Sequence, residues 1–163
     1  WFKHTLVSGG ITRFHSVKNA LELVPDGAVV AVHDGVRPFV PKEMLERLFN
    51  YNFKETGAAG VIPVMPSIES MRKKSYDNMG NLVGAECVNR DNYMFVQTPQ
   101  VFDSTLLKEA YKQAYSPNFT DDASVVESKG YKVLFDSGSR FNIKITTPED
   151  LKLGEIILNY QSF

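Results

Sequence analysis

The sequence predicts an α/β domain in which a mostly parallel sheet lies between helices. Apolar runs of strand length, at residues 29–32 and 58–64, alternate with segments at 14–24 and 41–49 whose apolar residues recur at helical spacing. Strands that alternate with helices favour a layered α/β fold. With 163 residues, the chain is long enough for one domain with a sizeable core.

The first half of the chain predicts two helices and three strands. Residues 1–7 have the composition of a strand, and a turn at 8–10 leads into a helix over 14–23, which ends at Pro25, Asp26 and Gly27. The apolar run that starts at Val29 predicts a buried parallel strand. Pro41 begins a helix with one apolar face, and residues 58–64 form a second buried strand.

Residues 67–92 predict a long hairpin that projects from the domain as an arm. Turn-forming residues at 77–81 separate the two segments 70–74 and 82–86. An isolated two-stranded ribbon is marginally stable in water. We therefore expect the arm to pack on another subunit and to serve for dimerisation, while residues 1–163 form a single domain.

The second half of the chain continues the alternation. Residues 93–96 return to the core as a strand, helices are expected at 104–115 and 121–129, and strands at 131–135 and 142–145. Thr147 and Pro148 form a helix cap with proline at the first helical position, which predicts a last helix.

Composition excludes several classes of protein. Eighteen basic and nineteen acidic residues leave a net charge of −1, so no overall field attracts nucleic acid or a membrane surface. The single cysteine, Cys87, excludes an internal disulfide and a cysteine-based zinc site. No apolar stretch approaches the roughly 20 residues of a membrane span. These features predict a protein of the reducing cytoplasm.

Asp34 and Arg37 are the first candidates for a functional site. They directly follow the apolar run at 29–32, and ligands of open α/β sheets bind beyond the carboxyl ends of the strands. A carboxylate there can hold a hard metal ion, and a guanidinium can bind an anionic substrate. The pair predicts a magnesium-dependent site for phosphorylated ligands. The neighbouring His33 is expected to be a hydrogen-bonded structural group.

Four further segments carry polar groups where strands or helices end. Gly10 precedes a helix whose N-terminal amides can meet a phosphate or a base, although a plain turn explains it equally well. Thr98 follows a strand. Thr120 or Asp121 is a site residue or simply a helix cap. Lys144 interrupts an apolar strand, where its ammonium must find a partner or a ligand, unless the strand lies exposed at an edge.

Taken together and in order, these segments resemble a known family. The matching residues are Gly9, Gly10, Arg13, Ser16 and Val17; Val32, His33, Asp34, Arg37 and Pro38; Gln97, Thr98, Pro99 and Gln100; Thr120, Asp121, Ala123 and Ser124; and Asn142, Ile143, Lys144, Ile145 and Thr146. Over nearly all its length the chain resembles the 2-C-methyl-D-erythritol 4-phosphate cytidylyltransferases of the non-mevalonate isoprenoid pathway.

The resemblance implies a fold, a reaction and an assembly. The fold is a Rossmann-like nucleotidyltransferase sheet with a hairpin arm that reaches into the partner of a homodimer. The reaction transfers CMP from CTP to the phosphate of methylerythritol phosphate and releases pyrophosphate, with magnesium bound near the α-phosphate. The substrate phosphate attacks the α-phosphorus directly, so no side-chain nucleophile is needed.

The resemblance also implies roles for individual residues. Gly10 and Ser16 would lie by the cytosine and Gly35 by the nucleoside. Asp34 would bind magnesium and the ribose phosphate, and Lys144 the α-phosphate, which makes these two the catalytic residues. The residues around methylerythritol phosphate would be Arg37, Ser70, Arg90, Thr98 and Thr120. Ser70 and Arg90 lie on or beside the arm and could come from the partner subunit.

The chain departs from the family pattern in three places. The glycine-rich loop that cradles the triphosphate in the family is not found, so we expect these 163 residues alone to have little activity. Ile11 replaces a frequent polar residue, and Ser70 a usual threonine. Two alternatives stay open: a ribitol 5-phosphate cytidylyltransferase, and a catalytically silent module for nucleotide binding or dimerisation.

Overall fold

A computed structural model describes residues 3–161 of the chain. The helices are α1 (Arg13–Leu21), α2 (Lys42–Phe49), α3 (Phe53–Thr56), α4 (Ser104–Ala110), α5 (Asp122–Ser128) and α6 (Pro148–Gln161), with a 3₁₀ turn at Arg90–Asn92. The strands are β1 (Val29–Val32), β2 (Gly60–Pro66), β3 (Met71–Tyr76), β4 (Leu82–Val88), β5 (Met94–Val96), β6 (Gln100–Asp103) and β7 (Val133–Ser137).

Five strands form the central sheet, and its strand directions differ from the prediction. β6 lies between β1 and β2 and is antiparallel to both, and β5 is also antiparallel to β2. Among the strand pairs within residues 3–161, only β2 with β7 is parallel. The expected mostly parallel sheet is therefore wrong, although β1, β2 and β7 run in one direction. The sequence does not predict the short strand β6. It separates β1 from β2 and pairs antiparallel with each of them.

Helices cover both faces of the sheet, as predicted. Successive residues of a strand point to opposite faces. Ile62 and Phe102 pack in one core cluster with residues of α1, α4 and α5, while Val61 and Val101 pack in a second cluster with residues of α2 and α3. All four side chains are buried, and each contributes about 1.5–3 kcal/mol of hydrophobic stabilisation. The layered α/β fold is confirmed.

β1 is an edge strand rather than a buried one. It pairs with β6 alone among the described strands, and its first residue, Val29, is exposed. The prediction of a buried parallel strand is thus wrong in both respects. The carboxyl end of β1 does lie where the sequence predicts it, because Asp34 comes two residues after β1 at the edge of the sheet.

The arm is a two-stranded sheet of its own, as predicted. β3 and β4 are antiparallel, and the side chain of Asp77 closes the turn by accepting hydrogen bonds from the amides of Met79 and Asn81, both at 2.8 Å. Most residues of both strands are exposed.

Several predicted elements are shorter or absent. Residues 3–7 are not a strand, and Trp1 and Phe2 lie outside the described residues; residues 142–145 are also not a strand. β5 is exposed rather than part of the core, and the helix expected over 104–115 ends at Ala110. Within residues 3–161, no helix is both long and apolar enough to span a membrane.

Candidate active site

A polar cleft of about 250 Å³ opens at the carboxyl end of β1. It lies where the turn after β1, the link between β5 and β6, the N-terminus of α5 and the segment before α6 meet. Its lining residues are Arg13, Asp34, Arg37, Val96, Gln97, Thr98, Gln100, Thr120, Asp121 and Lys144. The structure therefore brings together five of the predicted site residues from distant parts of the sequence.

Asp34 is surrounded by three cationic side chains. The distance from its carboxylate is 3.1 Å to Nε of Arg37, 3.3 Å to Nζ of Lys144 and 3.9 Å to Nε of Arg13. Burial opposes the ionisation of Asp34, but the hydrogen bonds from Arg37 and Lys144 and the charges of Lys144 and Arg13 outweigh it. The pKa of Asp34 is consequently below its ordinary value, and the carboxylate is charged at neutral pH.

The segment that carries Lys144 is fixed beside the turn that carries Asp34. The amide of Ile145 donates to the carbonyl of Val36 at 2.9 Å, and Nη1 of Arg37 donates to the carbonyl of Asn142 at 2.9 Å. These bonds place the segment although it forms no strand. The Lys144 side chain is about half exposed, and its ammonium pairs with the Asp34 carboxylate. This carboxylate is the partner that the ammonium needs in an apolar segment.

Thr98 is buried beneath the cleft. Its hydroxyl oxygen accepts a hydrogen bond from the amide of Asp34 at 2.9 Å and lies 2.9 Å from Nδ1 of His33. Its carbonyl accepts from Nδ2 of Asn142 at 2.8 Å. Thr98 thus joins the link between β5 and β6 to the turn after β1.

Asp121, and not Thr120, is the N-cap of α5. Its side chain accepts from the amide of Ser124 at 2.9 Å, and the hydroxyl of Ser124 in turn accepts from the amide of Asp121. Nε2 of Gln100 donates to the same carboxylate at 2.8 Å. Thr120 is left exposed at the cleft, where it is available to a ligand.

Arg13 belongs to a network around a buried carboxylate, which the sequence does not predict. Its Nη1 and Nη2 donate to the two oxygens of Asp122, at 3.0 and 2.5 Å, and the hydroxyl of Tyr111 donates to the same carboxylate at 2.5 Å. Asp122 and Tyr111 are buried, so burial and the nearby Asp122 charge raise the pKa of Tyr111. Arg13 and Asp122 are 109 positions apart, and no local pattern links them.

Gly10 and Ser16 contact each other at the start of α1. The amide of Gly10 donates to the Ser16 hydroxyl at 2.9 Å, and a Cβ at Gly10 would overlap the side chain of His15. The same helix supplies Arg13 to the cleft, so Ser16 lies on an element that lines it and Gly10 lies just before that element. Gly35 is exposed in the turn between Asp34 and Arg37.

Ser70 and Arg90, like Gly10, Ser16 and Gly35, do not line this cleft. Both lie at the base of the arm, where a guanidinium nitrogen of Arg90 donates to the carbonyl of Ile68. The structure of one chain leaves them exposed and outside the cleft.

The sheet and its helical layers are those of a Rossmann-like nucleotidyltransferase. Two solved structures described as 2-C-methyl-D-erythritol 4-phosphate cytidylyltransferase show this directly. The one from Thermus thermophilus is 31% identical, with a TM-score of 0.73 over 93% of this chain and 71% of that chain. The one from Francisella tularensis is also 31% identical, with a TM-score of 0.73 over 91% of this chain and 69% of that chain.

Residues 2–160 match the family described as 2-C-methyl-D-erythritol 4-phosphate cytidylyltransferase, and the chain belongs to that family. A relative of that name from Bacteroides fragilis is 50% identical over 96% of this chain and 67% of its own length. One from Porphyromonas gingivalis is 47% identical over 95% of this chain and 66% of its own length. The chain thus spans about two thirds of the length of these relatives, and the predicted resemblance is confirmed.

Proposed function

We propose that the protein transfers CMP from CTP to 2-C-methyl-D-erythritol 4-phosphate and releases pyrophosphate, as an enzyme of isoprenoid precursor synthesis. The observation that carries the proposal is the group of Asp34, Arg37 and Lys144 in the cleft of a member of this family. An exposed ammonium and a guanidinium beside a carboxylate suit phosphate ligands.

The proposed reaction needs positioning and charge rather than a protein nucleophile. An oxygen of the substrate phosphate forms a bond to the α-phosphorus of CTP, and the bond from that phosphorus to the bridging oxygen of the leaving pyrophosphate breaks. Lys144 can move from Asp34 to the α-phosphate because its side chain is half exposed. A compact ammonium at this place offsets the negative charge that spreads over the phosphoryl oxygens.

Asp34 has the chemistry to hold the magnesium ion that such a reaction uses. Within residues 3–161, no three His, Cys, Asp or Glu side chains are grouped to hold a metal ion. Magnesium typically takes one or two carboxylates and completes its shell with substrate phosphates and water, so Asp34 with bound CTP fits this ion. When bound, the ion would neutralise phosphate charge.

The binding sites follow the predicted roles. We place the cytidine by Gly10, Ser16 and Gly35, and the polyol phosphate by Arg37 and Thr120, with Thr98 beneath it. Ser70 and Arg90 would complete the site of the partner subunit in a homodimer that the arm, residues 67–92, forms. The exposed strands of the arm, and the position of Ser70 and Arg90 outside the lining of the chain's own cleft, support this arrangement. The exposed thiol of Cys87 suits a reducing compartment, which supports a place in the cytoplasm.

Pyrophosphate release from CTP tests the function. The protein, expressed from its native start codon, is assayed with magnesium and methylerythritol phosphate, and in parallel with ribitol 5-phosphate. We expect release with the first polyol phosphate and little with the second. Release with ribitol 5-phosphate alone would contradict the proposal and favour the other cytidylyltransferase, and silence with both would favour the module without catalytic activity.

A further inference from the structure

His33 lies between two parts of the site and contacts both. Its Nδ1 is 2.9 Å from the hydroxyl oxygen of Thr98, and its Nε2 is 2.9 Å from the carbonyl oxygen of Arg37. The ring therefore links the segment between β5 and β6 to the turn after β1. The proposed reaction assigns no role to this side chain.

The hydrogen-bond partners determine which ring nitrogen carries the proton. A carbonyl can only accept, so Nε2 must donate to Arg37. In the neutral imidazole, Nδ1 is then an acceptor, and the hydroxyl of Thr98 donates to it. The amide of Asp34 can only donate, and it donates to the same hydroxyl oxygen. For the neutral ring, one arrangement of protons thus satisfies all the bonds.

We propose that His33 is a positioning residue of the site, which holds Asp34 in place through Thr98 and Arg37 through its backbone carbonyl. The proposal rests on the proposed function and deepens it. The hydroxyl of Thr98 uses its proton on His33 and one lone pair on the Asp34 amide, which leaves one lone pair for a ligand. Thr98 can then accept a hydrogen bond from a hydroxyl of the polyol but cannot donate one to its phosphate.

The turn between Asp34 and Arg37 explains why this contact matters. The amide of Arg37 donates to the carbonyl of Asp34 at 3.0 Å, and His33 binds the carbonyl of Arg37, so the turn is fixed at both of its ends. The carboxylate and the guanidinium that bind the substrates project from this turn. Displacement of a catalytic group by about 1 Å can cost on the order of 100-fold in rate.

Three substitutions separate the two bonds of the ring. His33→Asn keeps an acceptor near the place of Nδ1, His33→Gln keeps a donor near the place of Nε2, and His33→Ala keeps neither. We expect His33→Ala to lower kcat/KM for the polyol phosphate by about 10- to 100-fold, the usual range when a supporting hydrogen bond of a functional group is lost. We expect His33→Asn and His33→Gln each to restore part of the lost kcat/KM. The KM for CTP should change less than the KM for the polyol phosphate.

A purely structural role gives a different result. Loss of folded protein would lower kcat in proportion, with both KM values unchanged, and the amount of folded enzyme is checked by thermal unfolding. That outcome, or a His33→Ala variant with more than half of the wild-type kcat/KM, would overturn the proposal.

The state of the ring is measured without any substrate. Imidazole ¹⁵N spectra of the wild-type protein, at a pH where histidine side chains are neutral, should show His33 as one fixed tautomer with the proton on Nε2. The His33→Asn variant assigns its signals among those of the three histidines. A ring that exchanges between tautomers, or that carries its proton on Nδ1, would overturn the proposal even in an active enzyme. If the wild type has the expected tautomer but no activity, the proposed function fails and the hydrogen-bond arrangement stands.

Discussion

Asp34 determines the electrostatics of the cleft because its carboxylate lies 3.1 to 3.9 Å from three cationic side chains. Without ligands, Lys144 and Arg37 neutralise this carboxylate. Phosphate groups of a nucleotide would compete for Lys144, and a magnesium ion would compete for Asp34. Binding of CTP with its metal ion can therefore exchange one set of ion pairs for another without leaving a charge unpaired.

Lys144→Ala should reduce kcat by about 100- to 1,000-fold, the usual effect of removing one group that stabilises charge in the transition state. The physical reason is that no other described lysine lines the cleft. The measurement is pyrophosphate release by the native protein and the variant. Lys42→Ala is the matched control, because Lys42 is highly exposed and forms a surface ion pair with Glu46. Equal activity of Lys144→Ala and the wild type would contradict the assignment.

Lys144→Ala should also change how stability depends on pH. The folded-state pKa of Asp34 is lowered, so its ion pairs stabilise the fold fully above the ordinary carboxyl pKa of about 4, and this contribution is lost as the pH falls through the folded-state pKa. In the variant, Asp34 loses the hydrogen bond and the charge of Lys144, so its ionisation contributes less to the free energy of unfolding. The free energy of unfolding in urea should therefore differ between wild type and variant near neutral pH and converge in acid. A constant difference at all pH values would argue against this role.

Three helices are joined by the network of Arg13, Asp122 and Tyr111. Arg13 begins α1, Asp122 begins α5, and Tyr111 directly follows α4. Since Arg13 also lines the cleft, the packing of these helices and the geometry of the site are coupled. A carboxylate that is completely buried is tolerated only because both of its oxygens have partners.

Arg13→Ala should lower the free energy of unfolding by about 3 kcal/mol, because it leaves a buried carboxylate without its countercharge. The measurement is urea unfolding at neutral pH. Lys112→Ala serves as the control, since Lys112 forms an exposed pair with Glu109 and its loss should change the free energy of unfolding much less. Similar values for the two variants would contradict a special role for the buried pair.

The sequence predicts an element well where residues within that element define its ends. α5 was predicted within a residue of each end because a capping residue and an apolar face define it. Strand neighbours carry no such signal, so the apolar run of β1 was found but its antiparallel partner β6 was not. The sequence predicts a strand around Lys144 for the same reason, because apolar residues alternate with it. In the structure, one backbone bond to Val36 and side-chain bonds of Arg37 and Asn142 hold the segment instead.

At the scale of the whole molecule, the arm of one chain lies outside the cleft of the same chain. Five of the residues that motif order indicates line one cleft: Asp34, Arg37, Thr98, Thr120 and Lys144. Ser70 and Arg90 lie at the base of the arm and outside the cleft. The sequence alone could not separate residues that act in their own chain from residues that act in a partner. In a twofold dimer each arm would serve the cleft of the other subunit.

Mixing two inactive variants tests this exchange. Lys144→Ala has a damaged cleft and an intact arm, and Arg90→Ala has an intact cleft and a damaged arm. If the arm acts in the partner's cleft, a mixed dimer has one site with both defects and one site with neither. Equal amounts of the two, unfolded and refolded together, should form mixed dimers in about half of the cases, so about a quarter of all sites should be active.

The control is the same mixture without refolding, in which the subunits have not exchanged and activity stays at the level of the variants. If the arm acts within its own chain, every site in the mixed dimer retains one defect. Refolding would then restore nothing, and the arm would be a dimerisation element without a share in the active site.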